Sequence, residues 1–171
     1  MINLKSIKTK HLSKKQIIDI CKLKESHWKF GLNSQKSWFE QNTKKNDLHN
    51  LLFYKTKLIG YTSLKKKKLS YKKTKKYFLL FDTLIISRKY RNSKLSNILM
   101  NYNNLIITKS DYFSFLLCNK ELINFYKKFQ WKNISYKIKI HPKMSKFNKK
   151  KILSFNFNDY GNVKSELIIN I

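Results

Sequence analysis

The sequence predicts a single domain of the mixed α/β class, and three observations carry that prediction. The chain has 171 residues, which is enough for one domain with a substantial core. It contains only 3 glycines and 1 proline, so no flexible linker divides it. Apolar residues follow strand and helix spacings in the order strand, two helices, three strands, helix, strand, helix, strands. This order is typical of neither a β-sandwich nor a doubly wound sheet.

The N-terminal segment predicts a short strand followed by two helices. Met1–Lys8 alternates weakly between apolar and polar residues, as a strand does. Ser13–Trp28 and Ser34–Asn42 have helical spacing, and each begins at a serine that suits the N-cap position. In the second helix, Trp38 and Phe39 are expected to face the core.

Three strands follow. Leu51–Tyr54 and Leu58–Leu64 are apolar runs joined by a short polar segment, which predicts a hairpin. Gly60 lies inside the second run, where glycine often marks a bulge or a close backbone approach. The lysine-rich Lys65–Lys76 is expected to form a hairpin arm in solvent. Tyr77–Ile86 is apolar almost throughout, as expected of a central buried strand.

The second half predicts a helix over Lys94–Thr108, a strand over Tyr112–Leu117 and a helix over Lys120–Phe129. The inward residues expected in the first of these helices are Leu95, Ile98, Leu99, Tyr102, Leu105 and Ile106. Those expected in the second are Leu122, Phe125, Tyr126 and Phe129. Closing strands are predicted over Ile134–Ile140, Ile152–Phe157 and Leu167–Ile171.

The charge of the chain has two explanations. There are 38 Lys+Arg against 9 Asp+Glu, a formal net charge of +29. Such an excess suits a polyanionic partner. However, nearly all the cations are lysines scattered along the chain, as a bias in codon use would produce. We favour codon bias and leave an anionic partner open.

Other compositional features argue against several classes of site. Cys21 and Cys118 are too few for a disulfide framework. The histidines show no metal-ligand spacing, so no metal is expected. There is no signal-peptide pattern and no apolar run approaching the ~20 residues of a membrane span, so we expect a cytoplasmic protein.

The only two arginines, Arg88 and Arg91, lie in the predicted turn between the strongest strand and the next helix. Arginine can grip phosphate with two parallel hydrogen bonds, and a helix start presents unpaired N–H groups. The turn is therefore a candidate pyrophosphate cradle, although two surface arginines in a polar loop would look the same.

The segment Ile86–Leu99, which reads ISRKYRNSKLSNIL, resembles the coenzyme-A-binding segment of the GCN5-related N-acetyltransferase (GNAT) family. Arg91 falls on the family's Gln/Arg position, whereas Lys94 and Ser96 replace glycine and glycine or alanine. A glycine there lets the backbone approach the pyrophosphate closely, whereas a lysine can take ordinary helical geometry and add its own charge. Leu122–Trp131 is similar to a second family segment, again with the usual glycine replaced. Leu58–Tyr61 resembles the family's third strand.

The resemblance implies a mixed, mostly antiparallel sheet flanked by helices and a site for acetyl-coenzyme A. The backbone of the turn would bind the pyrophosphate, and the end of the preceding strand would bind the pantetheine and polarise the acetyl carbonyl. The implied cofactor-binding residues are Leu84, Ile85, Ile86, Arg88, Arg91, Asn92, Ser93, Lys94, Leu95, Ser96 and Asn119.

Two residues are candidates for catalysis. By the same resemblance, Tyr126 would protonate the departing thiolate, because a phenol keeps its proton at neutral pH. Its alternative role is packing. Asp82 is the only charged residue within Tyr77–Ile86, so it is either paired or has a raised pKa that suits a general base. Cys118 has no neighbouring base, which disfavours a covalent role.

Three functions remain open. The first is an acetyltransferase that acts on a primary amine of a small amine, an amino sugar or an anionic acceptor such as a nucleotide-linked sugar. His27, Trp28 and Trp38 lie in helices that usually wall the acceptor site in this family. The second is a non-catalytic nucleic-acid-binding domain that uses interleaved lysines and aromatics, as in Tyr71–Phe78. The third is a family member that has lost coenzyme A binding.

Overall fold

The computed structural model describes residues 1–71, 74–134, 138–141, 150–157 and 167–170. These residues form two compact units. The first contains residues 1–65 and 82–103, and the second contains residues 66–81 together with the described residues from 104 onwards. The prediction of a single domain stays a prediction.

The elements follow the predicted order, which confirms the α/β class and the mixed sheet flanked by helices. The helices are α1 Lys14–Glu25, α2 Leu32–Asn42, α3 Leu95–Thr108 and α4 Ile123–Lys127. The strands are β1 Ile2–Lys8, β2 Leu48–Tyr54, β3 Lys57–Tyr71, β4 Thr74–Ile86, β5 Ser114–Cys118, β6 Lys132–Asn133, β7 Ile138–His141, β8 Lys151–Phe155 and β9 Leu167–Asn170. Parts of the predicted closing strands, 135–137 and residue 171, lie outside the described residues.

In the first unit, β1 and β2 pair antiparallel, and β2 pairs antiparallel with β3, which confirms the predicted hairpin. The register shifts at Leu52, opposite Gly60, so the hairpin contains a bulge. A Cβ on Gly60 would lie 2.8 Å from Cδ1 of Ile86 and 3.0 Å from Cδ2 of Leu52. The glycine therefore permits a close approach, as predicted.

The first two helices begin for different reasons. Ser13 caps α1 in a reciprocal capping box: its hydroxyl accepts from the Gln16 N–H at 3.2 Å, and the Gln16 side chain accepts from the Ser13 N–H at 2.9 Å. In contrast, α2 begins at Gly31, whose carbonyl accepts from Gln35 N–H at 3.0 Å, and not at Ser34. The inward prediction holds for Phe39 and is wrong for Trp38, which is 38% exposed.

The buried face of α3 differs from the predicted one. Leu95 and Leu99 are buried as expected, but Ile98 and Leu105 are exposed. Asn103 is buried instead, and its side-chain oxygen accepts a 2.9 Å hydrogen bond from Asn50. The prediction used only the spacing of apolar residues, so it did not include the polar Asn103 and placed the buried face at the wrong angle.

In the second unit, Leu79–Phe81 of β4 pairs parallel with Ser114–Leu116 of β5, and β5 pairs antiparallel with β8. β8 pairs with β6, β9 pairs antiparallel with β3, and β7 pairs parallel with β9. Phe78, Leu80 and Phe115 form a buried cluster with Leu69.

The predicted solvent arm is wrong at two of its residues. β3 continues to Tyr71, Leu69 is buried in the cluster of the second unit, and Lys65 is buried in the first. Residues 72–73, which fall in the same prediction, lie outside the described part of the chain. Strand alternation places every second side chain inward, so a run of lysines along a strand does not keep all of them in water.

The predicted helix Lys120–Phe129 is divided into a 3₁₀ turn over Lys120–Leu122 and the short α4. Tyr126 and Phe129 are buried as predicted, Phe125 is half-buried, and Leu122 is exposed, contrary to prediction. Leu122 lies in the tighter 3₁₀ turn, which takes it off the face that an unbroken helix would give it.

Candidate active site

The turn that leads from β4 into α3 has an unusual backbone. A 3₁₀ turn over Arg88–Tyr90 is followed by Asn92 with φ 64° and Lys94 with φ 57°, both in the left-handed region. The Lys94 carbonyl accepts from the N–H groups of Asn97 at 3.0 Å and Ile98 at 3.3 Å. Lys94 is therefore the N-cap of α3, and it does not take the ordinary helical geometry that the sequence left open to it.

This turn leaves donors at the start of a 14-residue helix. Because Asn97 is the first residue whose N–H reaches the Lys94 carbonyl, the N–H groups of Leu95 and Ser96 precede the intrahelical ladder. The positive end of the helix dipole lies at the same place. Chemically, such a helix start suits phosphate.

Arg91 braces the turn. Its Nε donates to the carbonyl oxygen of Ile86 at 3.3 Å, and its Nη2 lies 2.8 Å from Nδ1 of His27. Because a guanidinium can only donate, Nδ1 of His27 accepts and the ring proton lies on Nε2. Burial, with the charges of Arg91 and Arg88, lowers the pKa of His27, which is consistent with a neutral ring. Two of the guanidinium nitrogens of Arg91 therefore already have hydrogen-bond partners within the protein.

The backbone near the end of β4 is strained directly after Asp82. Thr83 has φ 65°, a conformation in which a β-branched residue is a genuine outlier. Ile85 and Ile86 beyond it are buried in the core, and Leu84 is partly buried. The predicted pantetheine contacts of this segment would therefore be made by its backbone. Strain of this kind tends to persist where a site requires it.

A pocket of about 510 Å³ lies beside this strained segment. It is lined by Lys24, Trp28, Phe30, Ser34, Gln35, Trp38, Asp82 and Thr83. Asp82 forms an ion pair with Lys65, with 2.7 Å between Oδ2 and Nζ. Of the two roles left open for Asp82 by the sequence, the structure shows the paired one.

Two lysine ammonium groups lie over the Trp38 ring. Nζ of Lys24 is 3.5 Å from the ring centroid and Nζ of Lys65 is 4.4 Å from it. Lys24 is only 5% exposed. Burial lowers the pKa of Lys24 to about 8; the charge of Asp82 opposes this shift, and the charge of Lys65 adds to it.

Sequence reasoning missed Lys24 and Lys65. For Lys24 a signal was present: it lies three residues after Cys21 and four before Trp28, on the apolar face of the helix. For Lys65 the signal was its position directly after the predicted strand Leu58–Leu64, which is buried along its whole length. In both cases the abundance of lysine concealed a buried position.

The second unit contains the other candidate residues. Tyr126 is buried, with ring-edge contacts to Phe81 and Trp131. Burial, together with the nearby Cys118, raises the pKa of Tyr126, so its hydroxyl keeps its proton at neutral pH. Burial also raises the pKa of Cys118, which disfavours a thiolate. Asn119 accepts a hydrogen bond from the Lys150 ammonium.

Comparison by sequence gives no match: no protein-family model and no curated protein matches the chain. Comparison with solved structures gives many matches. Escherichia coli ElaA aligns with a TM-score of 0.65 at 16% identity, over 90% of this chain and 99% of that one. An acyl-CoA N-acyltransferase from Pseudomonas aeruginosa aligns with a TM-score of 0.65 at 11% identity, over 90% and 99%. Bacillus subtilis N-acetyltransferase YlbP, solved in complex with coenzyme A, aligns with a TM-score of 0.56 at 13% identity, over 91% and 96%.

The fold is that of the GCN5-related N-acetyltransferases.

Two residues that replace glycines of the GNAT sequence pattern have the left-handed backbone conformation that favours glycine. Lys94 replaces the glycine of the first GNAT-like segment and has φ 57°, and Gln130 replaces the glycine of the second and has φ 65°. Residues other than glycine reach this region only at a cost, so the fold imposes the conformation on both.

No helix in the described part of the chain is long and apolar enough to cross a membrane. The described residues also contain no cluster of three or more histidine, cysteine or acidic side chains that could hold a metal ion.

Proposed function

We propose that the protein is an N-acetyltransferase that transfers the acetyl group of acetyl-coenzyme A to a primary amine. The observation that carries this proposal is the turn between β4 and α3. Its left-handed Asn92 and Lys94 lead into a helix start whose first N–H groups precede the intrahelical ladder, on the segment that resembles the family's coenzyme-A-binding motif. The YlbP structure, which contains coenzyme A on the same fold, supports this assignment.

The reaction is a direct acyl transfer. The neutral amine nitrogen attacks the thioester carbonyl, the C–N bond forms and the C–S bond breaks. The sulfur leaves as a thiolate and takes a proton, and the nitrogen loses one. The resemblance assigns the polarisation of the carbonyl to a backbone N–H near Ile86, a contact that stabilises charge as it develops.

We assign the two proton transfers to the residues that the sequence indicated. Tyr126 donates to the thiolate, because a phenol carries its proton at neutral pH. Asp82 lines the pocket while it is paired with Lys65 through Oδ2, and its carboxylate attracts the acceptor ammonium and passes the proton to water. The remaining cofactor-binding residues keep their predicted roles, mainly through the backbone of Arg91–Ser96 and Leu84–Ile86.

The cofactor site is tested by isothermal titration with acetyl-coenzyme A at low salt and at ~0.5 M NaCl, because a +29 protein attracts any polyphosphate at low salt. We expect saturable one-to-one binding at both salt concentrations. Arg91→Ala should weaken it about tenfold at high salt, since the brace to Ile86 and His27 is lost. Lys89→Ala, an exposed cation of the same turn, is the matched control and should bind as the wild type does.

Binding that disappears at high salt, or that responds equally to both substitutions, would contradict the cofactor site. The acid role is tested separately with Tyr126→Phe. This variant should bind acetyl-coenzyme A normally but release coenzyme A thiol about 10²-fold more slowly in the presence of amine.

A further inference from the structure

We propose that the acceptor carries a carboxylate and an apolar body, and that the Lys24 ammonium binds the carboxylate. The simplest acceptor of this kind is a hydrophobic amino acid. The inference rests on the proposed function, because it names the substrate class of that enzyme.

The first argument is charge balance within the first unit. The cluster around Trp38 contains two ammonium groups, Lys24 and Lys65, and one carboxylate, Asp82. Asp82 is already paired with Lys65 at 2.7 Å. Within the described part of the chain, the Lys24 ammonium forms no hydrogen bond or ion pair, and it lies over the face of Trp38. The Lys24 ammonium is therefore left without a carboxylate partner, and the carboxylate of a ligand can take that place.

The second argument is burial. Lys24 is 5% exposed, and an unpaired buried ammonium is costly even when an aromatic face offsets part of the cost. The flanking Cys21 and Leu23 are apolar and buried, so an apolar residue would fit this face of α1. Lys24 also lines the pocket. A costly charge that faces a cavity is typical of a binding group.

The remaining walls define the rest of the ligand. Trp28, Phe30 and Trp38 line the same pocket, and Phe30 is 72% exposed. These aromatic walls favour an apolar or aromatic body. Asp82 lines the pocket as well and suits the acceptor ammonium. An ammonium, a carboxylate and an apolar side chain on one small molecule match this set.

A structural role is the alternative for Lys24, since a cation in the last turn of a helix interacts favourably with the helix dipole. Lys22 lies in the same turn of α1 but is exposed. It therefore provides a matched control for charge, helix and position. A dipole effect would respond to both lysines, whereas carboxylate binding would respond only to Lys24.

The test uses two probes of the same shape, 3-phenylpropionate and the neutral 3-phenylpropionamide, whose binding is followed by titration at ~0.3 M NaCl. We expect the wild type and Lys22→Met to prefer the carboxylate by about tenfold. Lys24→Met should lose this preference and bind both probes equally. Equal binding of both probes by the wild type, or an unchanged preference in Lys24→Met, would overturn the proposal.

A pH titration of the wild type provides the same test without any substitution. The affinity for 3-phenylpropionate should fall about tenfold between pH ~7 and ~9, as the Lys24 ammonium with its pKa of about 8 loses its proton. An ordinary lysine, with a pKa near ~10.4, stays charged over this range. The amide probe should show no change, and a flat carboxylate profile would contradict the role of Lys24.

Enzyme assays separate this inference from the function on which it rests. Acetyl transfer is compared for phenylalanine and phenylalaninamide, with acetyl-coenzyme A binding measured independently. Transfer to both at equal efficiency would overturn the acidic acceptor and leave the acetyltransferase intact. A carboxylate preference in the probe titration without acetyl-coenzyme A binding would support the Lys24 site and contradict the enzyme.

Discussion

At the scale of single residues, the backbone at Lys94 and Gln130 shows how the fold can override local preference. Both residues have left-handed φ values, which cost roughly 1–2 kcal/mol for a residue with a Cβ. Each lies at a position where the resembling family has glycine. The surrounding structure therefore determines these conformations, and the side chains at both positions are exposed.

Lys94→Gly should stabilise the protein by about 1 kcal/mol, because glycine adopts φ near +60° without steric cost. The measurement is the midpoint of thermal or urea unfolding. Lys89→Gly removes the same charge from the same turn at a position without positive φ, and it should not stabilise. A lower midpoint for Lys94→Gly would show that the Lys94 side chain forms contacts worth more than the strain.

Lys24→Met should raise the free energy of unfolding at pH ~7 by about 1–3 kcal/mol, because it removes a buried ammonium while Asp82 keeps its partner Lys65. The folded-state pKa of about 8 lies below the ordinary value of 10.5. The folded protein thus binds fewer protons between these values, and wild-type stability should rise with pH across that window.

This rise should be smaller in Lys24→Met, and urea unfolding of both proteins at pH ~7 and ~10 measures the difference. A gain of stability accompanied by a loss of carboxylate binding is the expected mark of a residue kept for function. A variant that is less stable than the wild type would instead indicate a structural lysine.

At the scale of elements, a chain of hydrogen bonds connects the 3₁₀ turn Thr9–His11 with β2 and β3. Nε2 of His49 lies 2.9 Å from Oγ1 of Thr9, and its Nδ1 lies 2.8 Å from the hydroxyl of Tyr61. His49 is on β2 and Tyr61 on β3, so the chain crosses neighbouring strands. Burial lowers the pKa of His49 to about 4, with smaller effects of Lys65 and Lys24.

This arrangement predicts acid lability. Above pH ~6.5 the ring is neutral in both the folded and unfolded states, and the full stability is present. As the pH falls from about 6.5 towards 4, the unfolded state takes up the proton first, so stability should drop by at most roughly 3 kcal/mol.

Urea unfolding of the wild type and His49→Gln at pH ~7.5, ~5.5 and ~4.5 measures the effect. The slope of stability against pH should be smaller in the variant. With only 9 acidic residues in the chain, the background from carboxylate protonation is low. Equal slopes in the two proteins would show that His49 does not cause the loss.

At the scale of the whole molecule, the net charge of +29 obscures specific anion binding. Non-specific binding of a polyanion falls steeply with salt, because it depends on counterion release. We expect the affinity for single-stranded RNA to fall at least ~10²-fold between ~0.05 and ~0.3 M NaCl. The affinity for acetyl-coenzyme A should fall much less, since the turn backbone provides directed hydrogen bonds.

Fluorescence anisotropy with a labelled RNA, in parallel with the coenzyme titration, compares the two salt dependences. Arg91→Ala should leave RNA binding unchanged, because it removes one of 38 cations. Salt-resistant RNA binding would favour the nucleic-acid-binding domain over the enzyme.

The sequence by itself determined the order of helices and strands, because local apolar spacing, helix caps and turn residues predict that order. Ser13, Gly60 and the strand Tyr77–Ile86 each carried a local signal that the structure bears out. The candidate cofactor turn was also visible, because two arginines stand out in a chain whose other cations are lysines.

Only the tertiary structure decided which lysines are buried and which residues meet. Lys24, Trp38, Lys65 and Asp82 come from four different elements, and no local pattern specifies their contacts. The left-handed conformations of Lys94 and Gln130 were likewise hidden, because residue type alone argues against them. Local spacing encodes secondary structure, whereas charge pairing and strain are imposed by packing between segments distant in the chain.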